Sequence, residues 1–153
     1  MTQLLASIED VNTFLPPNVQ VQDSSAQLQV DAQRLIRAQL AAVYPPTTLA
    51  LWVNPDSTPE LIRAIAGRLI AARYYAELIS QESGDEVPGY ALSLYTEAIM
   101  MLASIKDGSL IVVDVNGDPI IGNSTDLDPS LDVFPNDGIP VFTMVREFGH
   151  QGL

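Results

Sequence analysis

Ser57-Thr58-Pro59-Glu60-Leu61-Ile62-Arg63-Ala64-Ile65-Ala66-Gly67-Arg68-Leu69-Ile70-Ala71-Ala72-Arg73-Tyr74-Tyr75 is the stretch that decides the fold class. Ser57 and Glu60 stand at the spacing of a capping box, and Pro59 suits a first helical turn, where its missing N–H is no loss. Leu61, Ile62, Ile65, Leu69, Ala72, Tyr75, Ala76 and Ile79 then recur in steps of three and four, the spacing of a helix face, as far as about Glu82. At ~1.5 Å per residue such a helix is a rod of roughly 35 Å. Ala64, Ala66, Gly67, Ala71 and Ala72 leave room for another helix to come close, and Ser83-Gly84-Asp85-Glu86 breaks the pattern.

The flanking sequence predicts more helix. Downstream, Pro88-Gly89 opens a segment from about Tyr90 to Ile105, with Leu94, Ala98, Met101, Leu102 and Ile105 as its inner stripe. Lys106 suits the negative helix end and Gly108 a left-handed cap. Upstream, Asp23-Ser24-Ser25 offers capping side chains for a helix to about Val43, with Leu28, Ala32, Leu35, Ile36, Gln39 and Val43 near one face, stopped at Tyr44-Pro45-Pro46. A short first helix begins at Ser7, with Glu9 and Asp10 at its positive end and Ile8, Val11 and Leu15 on one side, and stops at Pro16-Pro17. Residues 45–57 read as a Pro-containing loop whose Leu49, Leu51, Trp52 and Val53 tuck back onto the bundle, with Trp52 as a packing anchor.

The character changes after Gly108. Leu110-Ile111-Val112-Val113-Asp114-Val115 is rich in β-branched residues, and Asn116-Gly117 is a favoured two-residue hairpin turn. Ile120-Ile121 can pair back, with Pro119 restricting that strand to an edge. Residues 122–140 are dense in Asn, Ser, Asp, Pro and Gly, yet Val133, Phe134, Ile139, Val141, Phe142, Met144, Val145 and Phe148 are apolar islands in the last thirty or so residues. Polar chain carrying separated apolar anchors is the pattern of an arm that binds something else. The expected fold class is therefore mainly α: a small bundle of about four helices over residues 1–108, a short β-hairpin over 109–122 and an extended C-terminal arm over 123–153.

The chain has 153 residues, no cysteine and a net charge of −12. One core of this size folds without staples. The missing cysteines exclude disulfides and thiolate chemistry and suit a reducing cytoplasm. No stretch approaches the ~20 apolar residues of a membrane span, and no targeting signal is visible. The negative field repels phosphate, which disfavours sequence-specific DNA binding. Residues 1–105 carry five basic and eleven acidic side chains, and residues 106–153 carry two and eight, so the last third is the more acidic per residue. Arg34, Arg37, Arg63, Arg68 and Arg73 all fall on two of the expected helices, where Arg34, Arg37 and Arg63 are candidates to meet an acidic arm from a neighbouring copy.

A search for chemistry predicts no catalytic, cofactor or metal site. His150 is the only histidine and lies near the chain end, without a rigid shell of partners. Asp114-Val115-Asn116-Gly117-Asp118 imitates a calcium loop but lacks its glycine order and its terminal glutamate. Glu60, Glu77, Glu82 and Glu97 are spread over separate faces or turns. The expectation is a protein that is not an enzyme.

Residues 4–115 resemble the head–tail connector (adaptor) proteins of tailed bacteriophages, of the head-completion type that includes those of Mu-like phages. The resemblance lies in the opening helix at Ser7-Ile8-Glu9-Asp10-Val11, the Ala-rich helix of residues 61–75, and above all Tyr95-Thr96-Glu97-Ala98-Ile99-Met100-Met101-Leu102-Ala103-Ser104-Ile105-Lys106-Asp107-Gly108-Ser109-Leu110, similar to the family's last helix, glycine and leucine-containing strand. These are packing patterns, and the tail from residue 116 matches none of them. The resemblance implies a subunit made in the host cytoplasm and built into the virion neck. There it forms a homo-oligomeric, dodecameric ring under the portal protein, contacts a tail-side connector or stopper protein, and lets DNA pass as cargo. The arm is then an interface to other chains through Val133, Phe134, Ile139, Val141, Phe142, Met144 and Phe148. The competing expectation is an acidic cytoplasmic helical module, a regulator that binds a basic protein partner.

Overall fold

A computed structural model describes residues 4–22, 26–83 and 89–122. Contacts group Met1–Gly122 into one compact unit. Its helices are α1 (Ile8–Asn12), α2 (Ala26–Leu40), α3 (Pro46–Leu49), α4 (Glu60–Ser83) and α5 (Gly89–Lys106), and no strand forms among the described residues. The mainly helical class stands. The expected caps at Asp23-Ser24-Ser25, the break at residues 84–86 and the whole arm of 123–153 lie outside the described residues.

The central rod is α4, which contacts α1, α2 and α5, while α2 also contacts α5. Three neighbours on one helix require close approaches, and the small residues supply them: Ala66, Gly67, Ala71 and Ala72 are all buried. Gly67 is the tightest point. A Cβ there would lie 2.8 Å from the Asp10 carbonyl oxygen and 3.1 Å from Cε2 of Phe14. Backbone of α1 therefore rests directly on α4. Gly67→Val is expected to push α1 off and cost about 1–3 kcal/mol, read as a lower urea midpoint with an unchanged slope.

α1 is short, so its ends are fixed by side chains. The Ser7 hydroxyl accepts from the Asp10 N–H at 3.1 Å, and Asp10 Oδ2 accepts from the Ser7 N–H at 2.8 Å, a complete capping box. Asn12 then clasps the chain that follows: its Nδ2 donates to the Val21 carbonyl at 2.9 Å and its Oδ1 accepts from the Val21 N–H at 2.8 Å. This returns the residue 13–22 loop to the bundle and buries Leu15 and Val21.

The core runs from Leu5 through Val11, Ile36, Leu40, Ile62, Ile65, Ala98 and Leu102 to Val112. On α5, Leu94, Ala98, Leu102 and Ile105 are buried and Met101 packs against them, as the spacing predicts. Gly108 adopts φ +83° just past α5, the left-handed cap expected there.

Three local expectations are corrected. First, residues 45–57 are not simply a loop: Pro46–Leu49 closes one helical turn, making five helices among the described residues rather than about four. Leu49 and Trp52 tuck in, but Leu51 and Val53 remain exposed. Second, Ser57 does not cap α4. Its hydroxyl is taken by the preceding turn, accepting from the Val53 and Asn54 N–H groups at 3.2 and 3.3 Å. The Pro59 carbonyl accepts the Arg63 N–H at 3.0 Å as the helix begins. Third, the hairpin shrinks to a single antiparallel bridge, Val113 with Pro119. The turn is also one residue longer than Asn116-Gly117 alone demands. The Gly117 N–H donates to the Asp114 carbonyl at 3.0 Å, Gly117 has φ +93°, and the Asp114 N–H donates to the Asp118 carbonyl at 2.8 Å. That is a three-residue loop ending in a glycine bulge. The Asp114 carboxylate selects it, accepting the N–H groups of Asn116 at 2.7 Å and Asp118 at 3.0 Å. Those bonds hold its pKa below the usual carboxylate value. Ile120, not Ile121, pairs back, donating its N–H to the Val112 carbonyl at 2.8 Å.

Candidate protein interface

The arginines expected to face a neighbour have different fates. Arg34 is exposed on α2 and makes no hydrogen bond or ion pair among the described residues. Arg37 reaches across the next loop, its Nη2 donating to the Trp52 carbonyl at 2.6 Å. Arg63 is committed within the chain: Nη2 and Nε grip both oxygens of Asp10 at 2.7 and 3.1 Å. Its guanidinium closes the α1 cap against α4, so of the three only Arg34 stands fully available. Val133, Phe134, Ile139, Val141, Phe142, Met144 and Phe148 lie outside the described residues.

The other two arginines are structural as well. Arg68 lies over the Phe14 ring, 4.3 Å from its centroid, and pairs with Glu97 of α5 at 3.3 Å. Arg73 bridges Asp31 of α2 at 3.2 Å and Glu77 one turn on at 3.6 Å. These exposed pairs add little stability individually, but they tie α4 to α5 and to α2.

The Asp10–Arg63 pair has an acid signature. Burial alone would raise the Asp10 pKa, but the hydrogen bond from Arg63, those from the Ser7 N–H and hydroxyl, and the Arg63 charge together bring it below the ordinary carboxylate value. The Arg63 pKa moves up, chiefly through its bond to Asp10. A depressed carboxylate pKa contributes stability that is fully present above the unfolded-state value and is lost as pH falls through the folded one. Asp10→Asn is therefore expected to destabilise the bundle by about 1–2 kcal/mol at neutral pH. The deficit should shrink below about pH 4, because the parent then loses the same charge. Denaturant titrations at several pH values check this.

Sequence reasoning missed one surface. α5 is apolar on both sides. Its inner stripe is buried, yet Leu92, Tyr95 and Met100 are exposed, Met100 by 63%. Between α2, α4 and α5 lies an open apolar groove of about 280 Å³, lined by Leu28, Leu35, Leu69, Ala76, Leu92 and Tyr95 among others. The groove's charged residues, Asp31 and Arg73, neutralise one another. Such a surface is suited to packing against another apolar surface. The signal was available: a helix whose apolar residues exceed one stripe has a second face to cover. A second exposed set follows α5, where Ile111, Val113, Val115 and Ile121 point away from the core.

Among the described residues no cluster of three or more His, Cys, Asp or Glu is placed to hold a metal ion, and no helix is long and apolar enough to cross a membrane. No protein-family model, curated protein or solved structure matches the chain.

Proposed function

We propose that this chain is a structural head–tail connector (adaptor) subunit of a tailed bacteriophage. In this reading copies form a homo-oligomeric ring, dodecameric as in the family it resembles, beneath the portal protein at the capsid vertex. The ring joins the portal to a tail-side connector or stopper protein and lets DNA pass without reading its sequence.

The observation that carries this reading is the two-sided α5. The bundle closes its own core, yet Leu92, Tyr95 and Met100 remain exposed on the helix that most resembles the family, and a monomer gains nothing by leaving them in water. A ring gives them a partner and multiplies weak contacts by avidity. The net charge of −12 suits a channel that DNA must not adhere to. The arm, with Phe134, Phe142 and Phe148 as anchors, reaches other chains, and Arg34, without a partner among the described residues, is a cation on the bundle that meets its acidic residues.

That charge also favours a second reading, an acidic cytoplasmic module that captures a basic protein. Electron microscopy and light scattering of the purified chain separate the two. The connector reading expects closed rings with an axial channel that bind portal particles. A monomer at every concentration, which binds a soluble basic protein and ignores portals, overturns it.

A further inference from the structure

We propose that the outward edge of residues 111–115 is a strand-addition site, and that its occupant is the run Val141-Phe142-Thr143-Met144-Val145 of a second copy of this chain. The inference rests on the reading of the chain as a self-assembling subunit and names the contact that joins one copy to the next.

The edge is open and held in place. The Val112 C=O accepts from the Ile120 N–H and the Asp114 N–H donates to the Asp118 C=O, both towards residues 118–120. Strand alternation turns the N–H and C=O of Val113 to the opposite side, where they make no hydrogen bond among the described residues. Val112 is 0% exposed and anchors the segment in the core, while Ile111, Val113 and Val115 are 65%, 41% and 58% exposed. Unpaired backbone groups beside apolar side chains on a rigid support form a template for another strand. Lysine, a usual guard of an exposed edge, is missing from residues 111–115, where Asp114 is the one charge and its carboxylate is engaged by the turn.

The sequence beyond Gly122 supplies a matching occupant. Residues 141–145 are uncharged, contain neither Gly nor Pro, and combine β-branched residues with Phe and Met, a composition suited to a half-buried strand. Charge supports the match. Arg146 directly follows the run and is the only Lys or Arg after Lys106, while the edge ends in a turn carrying Asp114 and Asp118. Residues 123–140, if extended, span up to roughly 60 Å, well beyond the length of α4, so the run can reach an adjoining copy. Each copy then offers one edge and one run. Such head-to-tail contacts close into a ring when the rotation permits.

The chain contains no cysteine, so introduced pairs give a clean readout. A tagged full-length copy carrying Val113→Cys is mixed with untagged copies, each with one cysteine at position 141, 142, 143, 144 or 145, and oxidised mildly. Strand pairing predicts tagged–untagged disulfides whose yield alternates several-fold with a period of two, because neighbouring strand side chains face opposite ways. Val113→Lys, at an exposed position, should reduce assembly at least tenfold while leaving the melting temperature within a few degrees. No disulfide, a flat profile, or a period of three to four overturns strand addition. Rings that assemble without alternation refute this contact and leave the connector reading standing. Alternation in assemblies that ignore portals supports the contact and refutes the connector reading.

Discussion

Removing residues 123–153 is expected to leave the helical unit folding as before while abolishing stable assembly. Every core residue among those described lies between Leu5 and Val112, and α4 packs against α1, α2 and α5 within the unit Met1–Gly122. The truncated chain should unfold cooperatively within a few degrees of the parent. Assembly should respond very differently. Burying one Phe against a partner contributes about 1.5–3 kcal/mol, and the arm carries three with several aliphatic residues beside them. Even after the cost of ordering the arm, its loss should weaken each contact by more than a hundredfold, and a ring compounds that loss. Thermal melting and light scattering on the same samples check both halves. If the truncated chain unfolds, the arm belongs to the core and the division at residue 122 is wrong.

Trp52→Ala is expected to cost about 3–5 kcal/mol, the usual loss for a fully buried large aromatic. Trp52 is buried and meets Tyr44 edge-on, with centroids 6.0 Å apart at 69°. Burial raises the Tyr44 pKa, partly offset by a hydrogen bond with the Val112 backbone. Trp52, Tyr44 and Val112 are thus consecutive members of one packed stack linking the residue 45–57 segment, the end of α2 and residues 109–122. Arg37 locks the stack from outside through the Trp52 carbonyl. Removing the indole takes away the support on one side of Tyr44, so the loss should pass through Tyr44 to residues 111–115 and not stay local. A domain of this size has ~5–15 kcal/mol in total, so a fall in melting temperature of about 10 °C or more is expected. Hydrogen exchange at Val112 and Ile120 should rise with it. An effect below about 1 kcal/mol would show that the stack is not a unit.

The long helices were legible because periodicity and small-residue content agree over many turns, and Gly108 ends α5 as its left-handed cap. Gly67 was readable as a point of close approach, though not that α1 is what approaches. The single turn Pro46–Leu49 was not legible, since four residues hold too little of a period to distinguish helix from loop. Ser57 misled because Asn54 competes for its hydroxyl, a choice between two local bonds that spacing alone does not decide. Asn116-Gly117 suggested a two-residue turn, but Asp114 captures two N–H groups and draws one more residue into the loop. Spacing alone makes Arg63 look like a surface cation, because its partner, Asp10, lies fifty-three positions away in sequence. Trp52, by contrast, was rightly expected to anchor packing, since an isolated Trp in a proline-bounded apolar patch has few other places to go.

The proposed division of labour between a closed helical unit and an arm that finds its burial on other chains is most directly tested by amide hydrogen exchange over residues 133–148, in dilute monomer and in assembled particles. Rapid exchange in the monomer and strong protection after assembly, with α4 and α5 protected in both, is the predicted result. Equal protection of residues 133–148 in the dilute monomer would contradict the account, since that segment would already be buried within its own chain.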